Sequence, residues 1–211
     1  MDNGSGGHTH NHEEHAHVDE EEANYDMENE EHHHEIMDEH IWMSLSNASY
    51  LVSVISREIL NFDPDGNYTQ NTERYQAELE RVDAAFQNVV EEGRNTTLVV
   101  ADRFPYRYLL RDYGLDYCAA YEGCSAETEA SFDIIIEMAQ KADELEVQAI
   151  CVTENSDLSL AETVVDNCNA VTPEICVLHS LQAVSWADIQ EGNTYIGYME
   201  ENVSALALLL Q

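Results

Sequence analysis

The sequence predicts an α/β fold with a parallel sheet in its C-terminal part and one long helix before it. Three observations predict this fold. After Gly93, short apolar runs alternate with amphipathic helical segments. The runs are apolar throughout, which is typical of parallel strands that helices cover on both faces. The repeated order of strand and helix favours a single parallel sheet with right-handed crossovers.

Two helices are predicted before Gly93. Residues 44–60 carry apolar side chains at helical spacing, and the turn-forming residues at 63–67 end this segment. In residues 72–92, apolar side chains recur at helical intervals and form one face. About 20 residues at about 1.5 Å each predict a rod of roughly 30 Å. Asn71 is expected to cap this helix, and Gly93 is expected to end it.

The elements after Gly93 follow in a regular order. Short apolar runs predict four strands, at 97–101, 116–121, 148–153 and 175–178. Amphipathic segments between and after them predict helices at 105–113, 129–145, 158–167 and 194–210.

The charge of the chain excludes several classes of partner. The 211 residues include 43 acidic and 8 basic ones, for a formal charge of −35. Such a surface repels nucleic acid and anionic lipid, and it attracts cations. An acidic solubilising surface, as in salt-adapted proteins, is the alternative interpretation. No apolar run is long enough to span a membrane, and no signal peptide is recognisable.

The five cysteines indicate packing rather than chemistry. Their number is odd and they show no C-x-x-C spacing. Cys118, Cys151 and Cys176 lie inside predicted strands, so they are expected to be small buried residues rather than ligands or redox centres.

An acidic, histidine-rich tract opens the chain and points to metal handling. Residues 1–37 have low complexity, few aliphatic side chains and high charge, which is typical of disorder. Imidazole is the commonest side-chain ligand of zinc and related ions. Eight of the 10 histidines lie in the tract, and we expect them to collect metal ions: His8, His10, His12, His15, His17, His32, His33 and His34. His40 follows at the start of the first segment that is expected to fold.

Polar residues stand where each predicted strand ends. They are Asp102, Glu122, Glu154 and His179. In open α/β sheets, ligands bind beyond the carboxyl ends of the strands, so these side chains are candidate ligands for a cation. The alternative is that they are ordinary loop residues or caps of the following helices. His179 is the strongest candidate, because it directly follows an apolar run and is the only histidine after His40.

The order of these segments resembles the zinc and manganese substrate-binding proteins of bacterial ABC importers. The likeness covers nearly the whole chain. Residues 38–48 (DEHIWMSLSNA) resemble a D-x-H-x-W segment that supplies one metal-binding histidine, here His40. Residues 99–115 resemble the strand and helix that carry a His or Glu ligand, where Asp102 or its neighbour stands. Residues 177–182 resemble the segment that usually carries an aspartate ligand, replaced here by His179.

The resemblance implies an architecture and a set of site residues. Residues 1–37 would be a metal-collecting loop, 38–70 a remnant of an N-terminal lobe, 71–93 the linking helix and 94–211 the C-terminal lobe. His40, Asp102 and His179 would hold the ion, with Glu154 more plausibly beside the ligands than among them. The chain is expected to be N-terminally truncated, so residues 40–62 should expose apolar surface and the solubility should be poor.

Three functions compete at this point. The resemblance implies a monomeric binding protein that delivers Zn²⁺, or less readily Mn²⁺, to an ABC transporter permease, and that acts outside the cytoplasm. The second hypothesis is a metal buffer in which the tract does all the binding. The third is a metal-dependent hydrolase using Asp102, Glu154 and His179, but no H-E-x-x-H or similar motif supports it. No catalysis is therefore expected.

Overall fold

A four-stranded, all-parallel sheet with helices on both faces organises the chain. The computed structural model describes residues 38–121 and 130–211. A 3₁₀ helix, η1 (Ile41–Met43), and two α-helices, α1 (Leu45–Phe62) and α2 (Tyr68–Glu92), precede the sheet. The remaining elements are β1 (Thr97–Val100), α3 (Arg107–Asp112), β2 (Asp116–Ala119), α4 (Phe132–Leu145), β3 (Ala149–Val152), α5 (Ser159–Asn167), β4 (Glu174–Val177), α6 (Trp186–Gln190) and α7 (Tyr195–Leu209).

The strands lie in the order β2-β1-β3-β4, and every pairing is parallel. The crossovers place α3 between β1 and β2, α4 between β2 and β3, and α5 between β3 and β4. The predicted α/β class and the predicted strand–helix alternation are therefore confirmed. All four strands end at one edge of the sheet, where the candidate ligands were expected.

Each face of the sheet has its own core, because successive strand residues point to opposite sides. Leu98 and Val100 of β1 pack with residues of η1, α2 and α7 on one face. Val99 of β1 and Ile150 of β3 pack with α4 and α5 on the other. All of these side chains are nearly or fully buried. This arrangement explains why the central strands β1 and β3 are almost entirely apolar, whereas the edge strands β2 and β4 begin with the exposed Asp116 and Glu174.

The long helix begins earlier than predicted. It starts at Tyr68 with Asn67 at the N-cap, so the expectation that Asn71 caps the helix is wrong. The turn at 63–67 is followed at once by helix, and the Thr72 hydroxyl donates to the backbone oxygen of Tyr68 within the first turns. Gly93 ends the helix as predicted, with extended backbone angles.

The short helix α6 was not predicted. Its N-cap Ser185 accepts a hydrogen bond from the Asp188 backbone, and the Asp188 carboxylate accepts one from the Ser185 backbone. The spacing of Ser185 and Asp188 is that of a capping box, and it could have been recognised in the sequence. Five residues are too few to show helical periodicity, so the pattern alone could not reveal the helix.

The strand cysteines occupy the predicted positions with unequal burial. Cys151 is fully buried in β3, while Cys118 in β2 and Cys176 in β4 are half-buried. Burial raises the pKa of the Cys151 thiol well above its ordinary value, so this side chain is a neutral packing group at physiological pH. Cys124 lies outside the described residues.

Helix α1 exposes an apolar face, as the sequence predicted for residues 40–62. Phe62 is 93% exposed and Ile55 is 58% exposed. These side chains and Ile59 line an open groove together with Tyr68 at the start of α2. The poor solubility expected from this surface stays a prediction.

Candidate metal centre

Asp102 follows β1 and joins it to β3. Its Oδ2 accepts hydrogen bonds from the Thr153 backbone at 2.9 Å and the Thr153 hydroxyl at 2.5 Å. Its Oδ1 accepts one from the Arg103 backbone at 2.7 Å. Burial raises the pKa of Asp102, but the hydrogen bonds from Thr153, Arg103 and Ser156 outweigh it and hold the pKa below its usual value. These bonds occupy lone pairs that a metal ion would need.

Replacing Asp102 by asparagine is expected to lower the free energy of unfolding at pH 7 by about 1 kcal/mol, a modest value because the carboxylate is only half-buried. The folded-state pKa is depressed, so the ionised group contributes stability above its unfolded pKa of 3.8 and loses it as pH falls through the lower folded pKa. The difference between wild type and D102N should therefore shrink below about pH 4.

Urea unfolding of both proteins at a series of pH values checks this prediction. Asp65→Asn, a change of an exposed carboxylate in the turn after α1, serves as the control. A difference between wild type and D102N that stays constant down to pH 2 would contradict the assignment.

Glu154, in the loop after β3, accepts hydrogen bonds from the loop after β4. Its Oε2 accepts from the Ser180 backbone at 2.6 Å, and its Oε1 accepts from the Ser180 hydroxyl at 2.8 Å. Both carboxylate oxygens are thus engaged by one residue. This geometry agrees with a role beside the metal ligands rather than among them.

Asp102 and Glu154 line a common polar cavity of about 870 Å³ at the carboxyl ends of the strands. Its wall also includes Arg103, Thr153 and Ser180. His40 and His179 are not among the residues that line this cavity. The cavity therefore brings together only two of the predicted ligands, Asp102 and Glu154.

His179 is held by helix α7. Its backbone N–H donates to Asn202 Oδ1 at 2.7 Å, and its backbone oxygen accepts from Asn202 Nδ2 at 2.8 Å. The His179 ring lies beside the ring of Tyr198, and its Nε2 is 3.1 Å from Glu201 Oε2. Its side chain is 27% exposed. The tertiary structure therefore orients this imidazole toward α7.

His40 is buried and paired with Asp38. The residue is 2% exposed and precedes η1. Its Nδ1 lies 2.7 Å from Asp38 Oδ1, and its backbone N–H donates to the same oxygen at 2.8 Å. Because a carboxylate accepts, the pair places the proton of neutral His40 on Nδ1 and the lone pair on Nε2. An imidazole oriented in this way is the usual form of a metal-ligating histidine.

Asp38, Glu39 and His40 form the one cluster of potential ligands in the described part of the chain. Each offers a ligand atom, and all these atoms lie within 4.8 Å of one another. Asp102, Glu154 and His179 do not belong to it. Sequence reasoning chose His40 but did not assign roles to Asp38 and Glu39. The two-residue spacing of Asp38 and His40 was the available signal.

Trp42 connects this cluster to the end of β4. Its ring packs edge-on against His40, with centroids 5.3 Å apart. Its Nε1 donates to the Ser180 backbone oxygen at 3.0 Å, and its own backbone oxygen accepts from the Tyr195 hydroxyl at 2.7 Å. Trp42 is partly buried against the core on the face of the sheet that carries Leu98 and Val100.

The tract histidines and Glu122 lie outside the described residues. Their predicted metal-collecting and strand-exit roles therefore stay predictions. Within the described part, no helix is both long and apolar enough to cross a bilayer.

The chain is similar to zinc-uptake proteins. The family model for the zinc-uptake complex component A, periplasmic (ZnuA), matches residues 3–208. The zinc-binding lipoprotein AdcA of Streptococcus pneumoniae is 31% identical over 84% of this chain and 35% of its own length. The high-affinity zinc uptake system protein ZnuA of Bacillus subtilis is 27% identical over 81% of this chain and 52% of its own. The chain thus spans about a third to a half of these curated relatives.

Solved structures share the fold. The metal-dependent lipoprotein YcdH of Bacillus subtilis has a TM-score of 0.68 and 26% identity, covering 83% of this chain and 65% of that one. The Zn(II)-bound ZnuA-like domain of Streptococcus pneumoniae AdcA has a TM-score of 0.65 and 26% identity, covering 82% and 64%. ZnuA-family proteins are metal-binding transport components and not enzymes. This agrees with the expectation of no catalysis and argues against the hydrolase hypothesis. Because the family model matches nearly the whole sequence, this chain belongs to the ZnuA family.

Proposed function

We propose that the chain binds Zn²⁺ as cargo and delivers it to the membrane permease of an ABC transporter. The buried Asp38–His40 pair, with its 2.7 Å contact, is the observation that carries the proposal. It supplies an imidazole whose tautomer and orientation are set before the metal arrives. The chain's relatives AdcA, a zinc-binding lipoprotein, and ZnuA, a zinc uptake protein, support zinc as the ion.

Within this proposal, His40 binds the ion through Nε2. The hydrogen bonds of Asp102 and Glu154 favour positioning roles for both at the edge of the sheet. His179 Nε2 lies 3.1 Å from Glu201 Oε2, so this imidazole offers Nδ1 to an ion unless its ring turns away from Glu201. Imidazole ligands suit zinc, whereas carboxylates suit manganese, so zinc is the first choice and manganese the alternative.

The proposed place of action is outside the cytoplasm, in a periplasm or attached to a cell surface. The family description names a periplasmic component, and AdcA is named a lipoprotein. The charge of −35 supports a cation as cargo and argues against nucleic acid as a partner. In this proposal the chain binds the ion as a monomer.

A chelator-competition zinc titration separates this function from simple buffering. The full chain is compared with a variant in which the eight tract histidines are replaced by glutamine. We expect one tight equivalent in both proteins, and additional weak equivalents in the wild type alone. Loss of the tight equivalent in the variant would favour a buffer that acts through the tract. A parallel manganese titration is expected to show weaker binding to the tight site.

A further inference from the structure

We propose that Glu154 is a positioning residue that acts on His40 through Ser180 and Trp42, so that the polar cavity at the strand ends influences zinc affinity. The inference rests on the proposed zinc-binding function and names a residue outside the metal site that sets how well the site binds. The contacts lead from the loop after β3, through the loop after β4, to the segment before α1. Glu154 itself does not contact the ion in this arrangement.

Glu154 holds Ser180 at both its backbone and its side chain. Glu154 Oε2 accepts from the Ser180 N–H at 2.6 Å, and Oε1 accepts from the Ser180 hydroxyl at 2.8 Å. Ser180 is 2% exposed, so both donors have little access to water and depend on the carboxylate for a partner. Two charge-assisted hydrogen bonds between the same two residues define position as well as distance. The backbone oxygen of Ser180 is therefore held in one place.

The backbone immediately after Ser180 depends on surrounding contacts. Leu181 has a φ angle of 60°, in the left-handed region that a residue with a Cβ rarely adopts. Such a conformation persists only where neighbouring contacts enforce it. The Leu181 side chain packs against the core, and the Gln182 N–H donates to the Ser180 hydroxyl at 3.3 Å. Loss of the Glu154 carboxylate is therefore expected to let this loop relax.

Trp42 connects the position of Ser180 to His40. Its Nε1 donates to the Ser180 backbone oxygen at 3.0 Å, and its ring packs edge-on against the imidazole with centroids 5.3 Å apart. Asp38 fixes the Nδ1 side of the imidazole at 2.7 Å, and the indole restricts how the ring can tilt. Groups that orient a ligating histidine commonly change metal affinity by 10- to 100-fold. A displaced Ser180 oxygen would release the indole and loosen His40.

Replacing Glu154 by alanine tests the inference in the full-length chain. Zinc association constants are measured by chelator competition in wild type, E154A and E154Q. Glutamine removes the charge but keeps both contacts, since its amide oxygen can accept the Ser180 N–H and its amide nitrogen can donate to the Ser180 hydroxyl. Alanine removes the charge and both contacts, so the ratio of the two constants separates positioning from loss of charge. We expect E154A to bind zinc about tenfold more weakly than E154Q.

Trp42→Phe shows whether the effect passes through the indole. Phenylalanine keeps an aromatic ring beside His40 but cannot donate to Ser180. In the W42F background we expect E154A and E154Q to differ by less than about twofold, because both changes interrupt the same series of contacts. In the metal-free protein, the Trp42 Nε1–H resonance should shift in E154A but not in E154Q, with the exposed Trp186 as internal reference. A general loss of stability would not produce this pattern.

Asp143→Ala is the matched control. Asp143 also accepts backbone N–H groups of a distant loop, those of residues 169–171, but it lies on α4 on the opposite face of the sheet. D143A is expected to keep the zinc affinity of wild type. Glu154→Met, which keeps the length of the side chain, replaces E154A under the same criterion if E154A does not fold.

Three results would overturn the inference while zinc binding remains. They are equal constants in E154A and E154Q, an undiminished difference between them in the W42F background, and a loss in D143A as large as that in E154A. Wild type without a tight zinc site, or tight binding that survives loss of His40, overturns the proposed function instead.

Discussion

Replacing His40 by glutamine is expected to abolish the tight zinc equivalent of the chain. Glutamine has a similar size and its amide still donates to Asp38, so the fold should be retained. It lacks the imidazole nitrogen through which His40 binds the ion. A chelator-competition titration, with circular dichroism to check the fold, measures the effect. An unchanged tight equivalent in H40Q would contradict the assignment.

Replacing Asp38 by asparagine tests how the imidazole is oriented. An amide no longer offers a charged acceptor that holds the proton on Nδ1, so we expect zinc affinity to fall by about 10- to 100-fold. Nitrogen-15 spectra of the histidine rings in the metal-free protein should show a larger share of the Nε2–H tautomer in D38N. Zinc affinity of wild type should also decline with falling pH, because protons compete with the ion for imidazole and carboxylate ligands in general.

His34→Gln and His179→Gln are the matched controls for H40Q. The first removes one imidazole of the tract and is expected to leave the tight site unchanged. The second removes the imidazole that lies against Glu201. A loss in H179Q as large as in H40Q would add His179 to the ligand set.

Replacing Phe86 by alanine is expected to lower the free energy of unfolding by about 3–5 kcal/mol, the usual range for a buried phenylalanine. Phe86 is fully buried on α2 and stacks on Tyr113, with ring centroids 5.3 Å apart. The Tyr113 hydroxyl donates to Asp83 on α2 at 2.7 Å, and this hydrogen bond holds the Tyr113 ring against Phe86. The truncation leaves a cavity where α2 meets the end of α3.

Phe62→Ala is the matched control for this prediction. Phe62 is the same residue type on α1 but is 93% exposed, so its loss should change stability by no more than about 0.5 kcal/mol. Urea unfolding followed by circular dichroism measures both variants. Similar destabilisation by the two substitutions would contradict the assignment of Phe86 to the core.

Most of the secondary structure was predictable because its signals are local. The apolar face of α2, the turn at 63–67 and the apolar strand runs are all properties of neighbouring residues. The errors also have local causes. The start of α2 at Tyr68 was missed because Asn71 offered an equally good cap, and α6 was missed because five residues show no period.

The candidate site was predictable only in part. His40 could be chosen because it combines a metal-ligating side chain with a D-x-H-x-W segment. Asp102, Glu154 and His179 were chosen by one common argument, their places at strand ends. The structure gives each a different partner: Thr153, Ser180 and the α7 residues Glu201 and Asn202. Position along the chain could not distinguish these environments.

The amino-acid sequence by itself determined the α/β class and the parallel sheet, and it singled out His40 as a candidate metal ligand. These properties follow from the spacing of apolar residues and from side-chain chemistry. Only the tertiary structure decided that Arg107 faces Asp38, that Trp42 donates to Ser180 and that His179 turns toward Glu201. The first two contacts join residues far apart in the chain, and all three depend on how helices and loops pack around the sheet, which local periodicity does not encode.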